Sequence, residues 1–281
     1  NEVVAEEVPP TRHLEGLIGE DLLARLYTRV VSQIMAAYEI EADIPVYEQE
    51  NDNPGSYLFT GEPGTGKTHA AEGVAFVLRD LGYDVGFYPV LGSQIKQSEY
   101  GESEDRLRRL LRRVDDDGHE LSVVFFDEFE DIATRNEHHA TAAIANTLQS
   151  LTSGADVVDS VVVIGATNHS ERISDAIHNR FTDVEFQEPS REAKVEMLEH
   201  YLGEACDFDS KRLVSLDDDL FDGLTGRDIK LAARDAADHS LLPTESSRPT
   251  SVSEMETVRE QLQQTPNVSI DDVRLALANR H

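Results

Sequence analysis

The chain has 281 residues and a formal net charge of −30 at pH 7, with 55 acidic against 25 basic side chains. So dispersed an acidic charge argues against non-specific nucleic-acid binding, which needs a positive field. Hydrophobic residues make up 39%, too many for a disordered chain, and no run of about 18 apolar residues marks a membrane span.

At about 100–200 residues per domain, the length fits one large domain or two ordinary ones. Lysine occurs at only five positions, so arginine supplies 20 of the 25 basic residues. Carboxylates spread along the length with lysine depleted match the proteins of salt-loving microbes. At 1 M salt the Debye length is ~3 Å, which screens self-repulsion. The competing reading is an acidic surface for a basic partner. The first residues lack a basic segment and do not read as a signal peptide. They also lack an initial methionine, which leaves a processed or excised chain open. Cys206 stands alone, so no internal disulfide is expected. A reducing, cytoplasmic setting and a buried apolar role for Cys206 are expected.

Residues 1–13 read as a flexible acidic lead-in. Asp21 to Glu39 reads as a helix, with Leu22, Leu23, Leu26, Val30, Ile34 and Met35 near helical spacing. A polar loop ends at Asn53-Pro54-Gly55. Tyr57 to Thr60 is a short apolar strand. Gly61-Glu62-Pro63-Gly64-Thr65-Gly66-Lys67-Thr68 follows, with His69 next to it as a further candidate for nucleotide contact, and Ala70 to Leu78 reads as a helix. This octapeptide has the spacing of a phosphate-binding P-loop. Its glycines let backbone N–H groups turn toward phosphate oxygens. Lys67 supplies charge to the β- and γ-phosphates, Thr68 a hydroxyl to Mg²⁺, and the helix its positive N-terminal end. ATP and Mg²⁺ are the expected ligands.

Val85 to Val90 reads as a second strand, with Pro89 marking an end or irregularity. Glu104 to Val114 reads as a helix. It carries Arg106, Arg108, Arg109, Arg112 and Arg113, the one dense basic cluster. Salt bridges to an acidic neighbouring subunit weigh above contact with nucleic acid or an acidic substrate. Val123-Val124-Phe125-Phe126 is an unbroken apolar strand ending in Asp127-Glu128, as a parallel sheet covered on both faces needs. Asp127 is placed to hold Mg²⁺ and Glu128 to polarise a water. Ala140 to Leu151 reads as a helix, with His138 and His139 before it; two adjacent histidines do not make a metal site. The strand from Val161 to Ala166 runs into Thr167-Asn168, and Asn168 is expected beside Glu128. Arg180 precedes Phe181, and Val184 to Phe186 is a short last strand. Strands alternating with helices over about residues 55–188 indicate a parallel α/β sheet.

After Pro189 no strand pattern appears. Arg191 to Leu202, Arg227 to Leu242, Val252 to Gln263 and Ile270 to Ala278 read as helices, with Ser190 and Ser269 as N-caps and a loop at Pro243 to Pro249. The expected division is a lead-in at 1–13, a nucleotide-binding α/β domain at 14–189 and a helical lid at 190–281.

A P-loop, an Asp-Glu strand end, Gly165-Ala166-Thr167-Asn168, a downstream Arg-Phe and a helical end resemble an AAA+ ATPase module. Within that group the chain resembles the AAA family proper, ring-forming unfoldases and remodellers. The resemblance covers about residues 14–281. It also includes Leu17-Ile18-Gly19, where the family contacts adenine, Gly101-Glu102-Ser103-Glu104, and Gly226-Arg227-Asp228-Ile229. It implies a P-loop NTPase fold with a small all-α lid, and Mg²⁺-dependent ATP hydrolysis driving protein remodelling by a homo-oligomeric, hexameric ring. It implies sensor 1 for Asn168 and an arginine finger acting on the neighbouring subunit for Arg180. Arg227 matches sensor 2, with a surface role equally open. Many relatives carry two arginines in the finger segment; here His178 and Asn179 precede Arg180 alone. In the pore loop, Glu99-Tyr100-Gly101 displaces the aromatic by one position, so Tyr100 is a candidate grip on a protein substrate. A nucleic-acid-associated ATPase of clamp-loader or initiator type is the alternative, as is a regulatory ring assembled by ATP. No basic DNA-binding appendage is visible.

Overall fold

The computed structural model describes residues 5–17, 19–39, 55–96, 102–133, 144, 146–148, 160–205, 210–241 and 267–280. Ile18, Glu99-Tyr100-Gly101, His138, His139, Cys206, the expected helix at 252–263 and most of that at 140–151 lie outside them. The chain divides into two compact units, Asn1–Gln187 and Glu188–His281.

The first unit is built on five parallel strands: β1 (Ser56–Gly61), β2 (Val85–Leu91), β3 (Leu121–Asp127), β4 (Val161–Thr167) and β5 (Thr182–Phe186). Their order across the sheet is β2-β3-β4-β1-β5. Successive strand side chains point to opposite faces, so each central strand feeds two cores. On one face, Leu58, Val124, Phe126 and Val163 pack with Leu107, Leu110, Leu111 and Val114. On the other, Tyr57, Phe59, Val123, Phe125, Val162 and Ile164 pack with Ala70, Ala71, Val74 and Leu78. This is why the strands read as unbroken apolar runs.

The helices in chain order are α1 (Glu20–Leu26), α2 (Ser32–Glu39), α3 (Lys67–Asp80), α4 (Gly92–Ile95), α5 (Glu102–Asp116), α6 (Glu130–Ala133) and α7 (Asp175–His178). The helix expected at Asp21–Glu39 is interrupted by a wide turn at Tyr27–Val31. There Ser32 Oγ donates to Tyr27 O at 2.8 Å, and one turn earlier Thr28 Oγ1 donates to Ala24 O at 2.6 Å; such back-bonding competes with the helical ladder.

Two expectations change. Pro89 does not end β2, which continues in register to Leu91. β2 is an edge strand, so the missing Pro89 N–H leaves no ladder bond unmade. Residues 5–13 do not stand clear of the first unit. Val8 N donates to Phe87 O at 2.9 Å, Ala5 is 9% exposed, and Glu7 lies 3.7 Å from Arg79 and 3.5 Å from His119.

The second unit contains α8 (Arg191–Ala205), α9 (Gly226–Leu241) and α10 (Ile270–Ala278) around Leu198, Leu202, Phe221, Ile229, Ala232, Val273 and Leu277. Its helices begin at caps. Ser190 Oγ accepts from Ala193 N at 3.2 Å, and Ser269 and Asp272 form a reciprocal capping box. Thr225 and Asp228 do the same for α9.

Candidate functional site

Residues 61–68 join β1 to α3 at the C-terminal edge of the sheet, where parallel α/β sheets hold ligands. Gly64 and Gly66 adopt φ of 82° and 99°, which L side chains rarely take. Gly66 is also crowded: a Cβ there would stand 2.8 Å from Leu17 Cδ2. Inside the curl, Thr65 Oγ1 donates to Glu62 O at 2.8 Å. Lys67 Nζ donates to Gly61 O at 2.6 Å and Glu62 O at 2.8 Å. Burial pushes the Lys67 ammonium below its ordinary pKa, while Asp127, Glu130 and Glu62 pull it back up. Glu62, Pro63 and Thr68 are exposed, Thr68 in the first turn of α3. The His69 ring meets the N-terminal segment, its Nε2 3.0 Å from His13 O.

β3 delivers the carboxylates. Asp127 ends the strand, and its Oδ1 accepts from Glu128 N at 3.0 Å. Glu128 has φ +54°, the one positive φ at a non-glycine residue among those described. Such a conformation is uncommon outside glycine and clusters where geometry serves a site. It is held by Phe129, whose N donates to Ala166 O at 2.9 Å. The Phe129 ring lies on Gly165, where a Cβ would come within 2.8 Å, and against Phe126 and Phe181 at centroid distances of 6.0 and 5.4 Å. A side chain at 165 would have to displace the Phe129 ring.

The register explains why Asn168 belongs here. β4 pairs with β3 at Gly165↔Phe126 and with β1 at Thr167↔Thr60. Asn168, one residue past Thr167, thus sits at the sheet edge between the P-loop strand and the Asp127 strand. Its side chain is exposed.

Arg180 follows α7. Its Nη1 donates to Ala176 O at 2.7 Å and its Nη2 to Asn146 Oδ1 at 3.1 Å. It is joined to the site through the next residue, since Phe181 packs on Phe129. His178 is held between Asp183 Oδ2 at 3.1 Å and Ser170 O at 3.4 Å.

The structure therefore gathers Lys67, Thr68, Asp127, Glu128 and Asn168 at one edge of one sheet. Gly19, at φ 134°, leads into α1. Arg227 is an exposed first-turn residue of α9 in the second unit. Two residues went unnoticed in the sequence. Glu130 acts on Lys67 and has a buried Oε2 with no hydrogen bond among the described residues; its position just past Asp127-Glu128 was the available signal. Asn146 had none.

The residues fit a nucleotide with a divalent cation. Asp127, Glu130 and Glu62 already act on the Lys67 charge, so a cation beside them would favour phosphate there. Asp127 and the Thr68 hydroxyl are hard oxygen donors of the kind Mg²⁺ prefers, completed by phosphate and water. No group of three or more metal-binding side chains occurs among the described residues. No described helix is long and apolar enough to cross a membrane.

Comparison with known proteins agrees with this geometry. Residues 57–189 match the ATPase family associated with various cellular activities (AAA). A cell division cycle protein 48 homolog of Archaeoglobus fulgidus is 32% identical over 197 residues, 67% of this chain and 25% of that protein. A protein of Methanothermobacter marburgensis named as a 26S proteasome regulatory subunit homolog is 31% identical over 203 residues, covering 69% of this chain and 52% of its own length. Fidgetin-like protein 1 of Drosophila melanogaster is 27% identical over 231 residues, 80% of this chain and 41% of that protein. The chain thus spans between a quarter and about half of these relatives, and it carries an AAA ATPase domain.

Proposed function

We propose that this AAA ATPase domain binds ATP with Mg²⁺ at residues 61–68 and hydrolyses it to drive protein remodelling or unfolding in a ring. The P-loop amides and Lys67 hold the phosphates. Thr68 and Asp127 hold the ion, which supplies charge neutralisation at the phosphates. Glu128 takes the proton of the attacking water, and Asn168 orients that water. Arg180 of a neighbouring copy stabilises the charge of the transition state, so the copies stand head to tail in a closed ring. Six copies, a salt-rich cytoplasm, domain limits at 14–189 and 190–281, and a protein substrate gripped through Tyr100 complete the proposal. A relative named as a 26S proteasome regulatory subunit homolog supports a protein rather than a nucleic acid as the object of the work.

The observation that carries this reading is Glu128. A carboxylate is held in a costly backbone conformation, beside the Asp127 carboxylate and one register step from Asn168. Glu128→Gln keeps the shape and removes the base. Nucleotide binding in high salt should persist while turnover falls about 10²- to 10⁴-fold. Turnover equal to the parent protein would remove Glu128 from this role.

A further inference from the structure

Segment 11–17 lies along one face of α3, the helix that starts at the P-loop. Leu17 touches the loop itself at Gly66. His13 O meets His69 Nε2 at 3.0 Å, and a carbonyl only accepts, so this nitrogen carries the proton. Leu14 is fully buried on Gly73, where a Cβ would stand 2.8 Å from its Cδ2. The His13 ring meets Phe76 edge-on at 5.1 Å. Positions 66, 69, 73 and 76 recur every three or four residues, as one helix face requires.

At the far end of this strap, Thr11 and Arg12 meet the Glu72 side chain. Glu72 Oε1 accepts from Thr11 N at 2.8 Å, Thr11 Oγ1 at 3.0 Å and Arg12 N at 3.1 Å. Its other oxygen, Oε2, lies 3.3 Å from Arg12 Nε. The Glu72 side chain is only 13% exposed, and its bonds to the exposed Thr11 and Arg12 are charge-assisted. Nothing in the phosphate chemistry uses Glu72, and it belongs to no apolar core. It nevertheless stands five residues after Lys67 on the same rigid helix, about 7.5 Å along its axis.

We propose that Glu72 is a positioning residue for nucleoside triphosphate binding, acting through the strap. By fixing Thr11 and Arg12 it keeps Leu17 packed on Gly66, and so keeps the P-loop curled before the nucleotide arrives. Untied, the strap leaves the binding-competent loop as one of several states, and apparent affinity falls by the fraction lost. The proposal rests on the reading of residues 61–68 as a nucleotide site.

The test measures the dissociation constant for a fluorescent ATP analogue, KM and kcat for ATP, and the melting temperature of the full chain in high salt. Glu72→Ala should weaken binding and raise KM about tenfold, with kcat within about twofold, the pattern of a lost pre-organised state. Glu72→Gln keeps one carbonyl acceptor for the three bonds at Oε1. It and Arg12→Ala should each change KM by about twofold or less, as loss of a half-exposed pair implies. A Glu72→Ala protein that melts lower yet binds and turns over ATP with unchanged constants overturns the proposal. If the parent protein itself binds no ATP analogue, the nucleotide reading fails first. Should Glu72→Ala not fold, hydrogen exchange on the parent decides. ATP should slow exchange at the Thr11 and Arg12 amides, and unchanged exchange there refutes the coupling.

Discussion

Two lysines of this chain are buried, and they are held in opposite ways. Lys194, in the second unit, is 3% exposed; its ammonium pairs with Glu188 and donates to Phe221 O at 2.7 Å. Its charge is met. Lys67, in the first unit, is 7% exposed, but both of its hydrogen bonds go to carbonyls, Gly61 O and Glu62 O. Asp127, Glu130 and Glu62 act on it without replacing those bonds. A buried cation is costly unless paired and bonded. Lys194 is a finished structural contact, whereas on the function proposed above Lys67 is held for a phosphate. On that reading the difference separates a group that stabilises the fold from one kept ready for a ligand.

The largest expected effect breaks the first half of this comparison. Lys67→Ala should weaken ATP binding by about 1.5–3 kcal/mol, the value of hydrogen bonds to a charged group, or roughly 10- to 150-fold. It should cost little stability in the absence of nucleotide, because a desolvated charge is removed. Mixed with an Arg180→Ala protein, the Lys67→Ala protein should regain hydrolysis, since each variant supplies the part the other lacks. Equal inactivity of the mixture and its components, with assembly intact, would remove the neighbour's arginine from the site. Lys194→Met tests the second half. It should lower unfolding free energy by about 1–3 kcal/mol in a urea titration, mainly through the orphaned Phe221 carbonyl. Nucleotide affinity of the folded protein should stay within about twofold. A larger loss of affinity than of stability would show that the two lysines are not so distinct.

The contrast also explains what could be read from the sequence. Val123 to Phe126 and Val161 to Ala166 were readable as strands because both sheet faces are covered, which forbids polar interruptions. The loop at 61–68 was readable because its backbone curl demands glycine at 64 and 66. Two helices of the second unit announced themselves through Ser190 and Ser269, whose cap bonds reach only three residues. The strap was not readable. Glu72 is an ordinary acidic residue on a helix, and its partners at Thr11 and Arg12 lie 61 and 60 residues away. Nor does Pro89 declare its harmlessness, which depends on β2 being at the sheet edge. The positive φ of Glu128 was likewise unreadable, and the Phe129 ring beside it packs on Gly165 and Phe181, positions brought together only by the folded sheet.

The smallest effect concerns a carboxylate of the second unit that obeys local rules throughout. Partial burial raises the Asp228 pKa, but the Thr225 hydroxyl and amide, with Arg280 and Arg227 nearby, outweigh it and hold it below the ordinary aspartate range. Folding therefore favours the ionised form. The stability this contributes is fully present above the unfolded aspartate pKa of about 3.9 and is lost as pH falls through the lower folded value. Asp228→Asn should remove that portion of the acid sensitivity. It should also cost about 0.5–2 kcal/mol at pH 7 by weakening the capping box. The check is urea unfolding of both proteins between pH 7 and pH 3 at fixed high salt. The two stability curves should converge toward the acid end, because protonated aspartic acid and asparagine are both neutral there. Parallel curves would mean that Asp228 carries no favoured charge in the fold, and that the cap acts by shape alone.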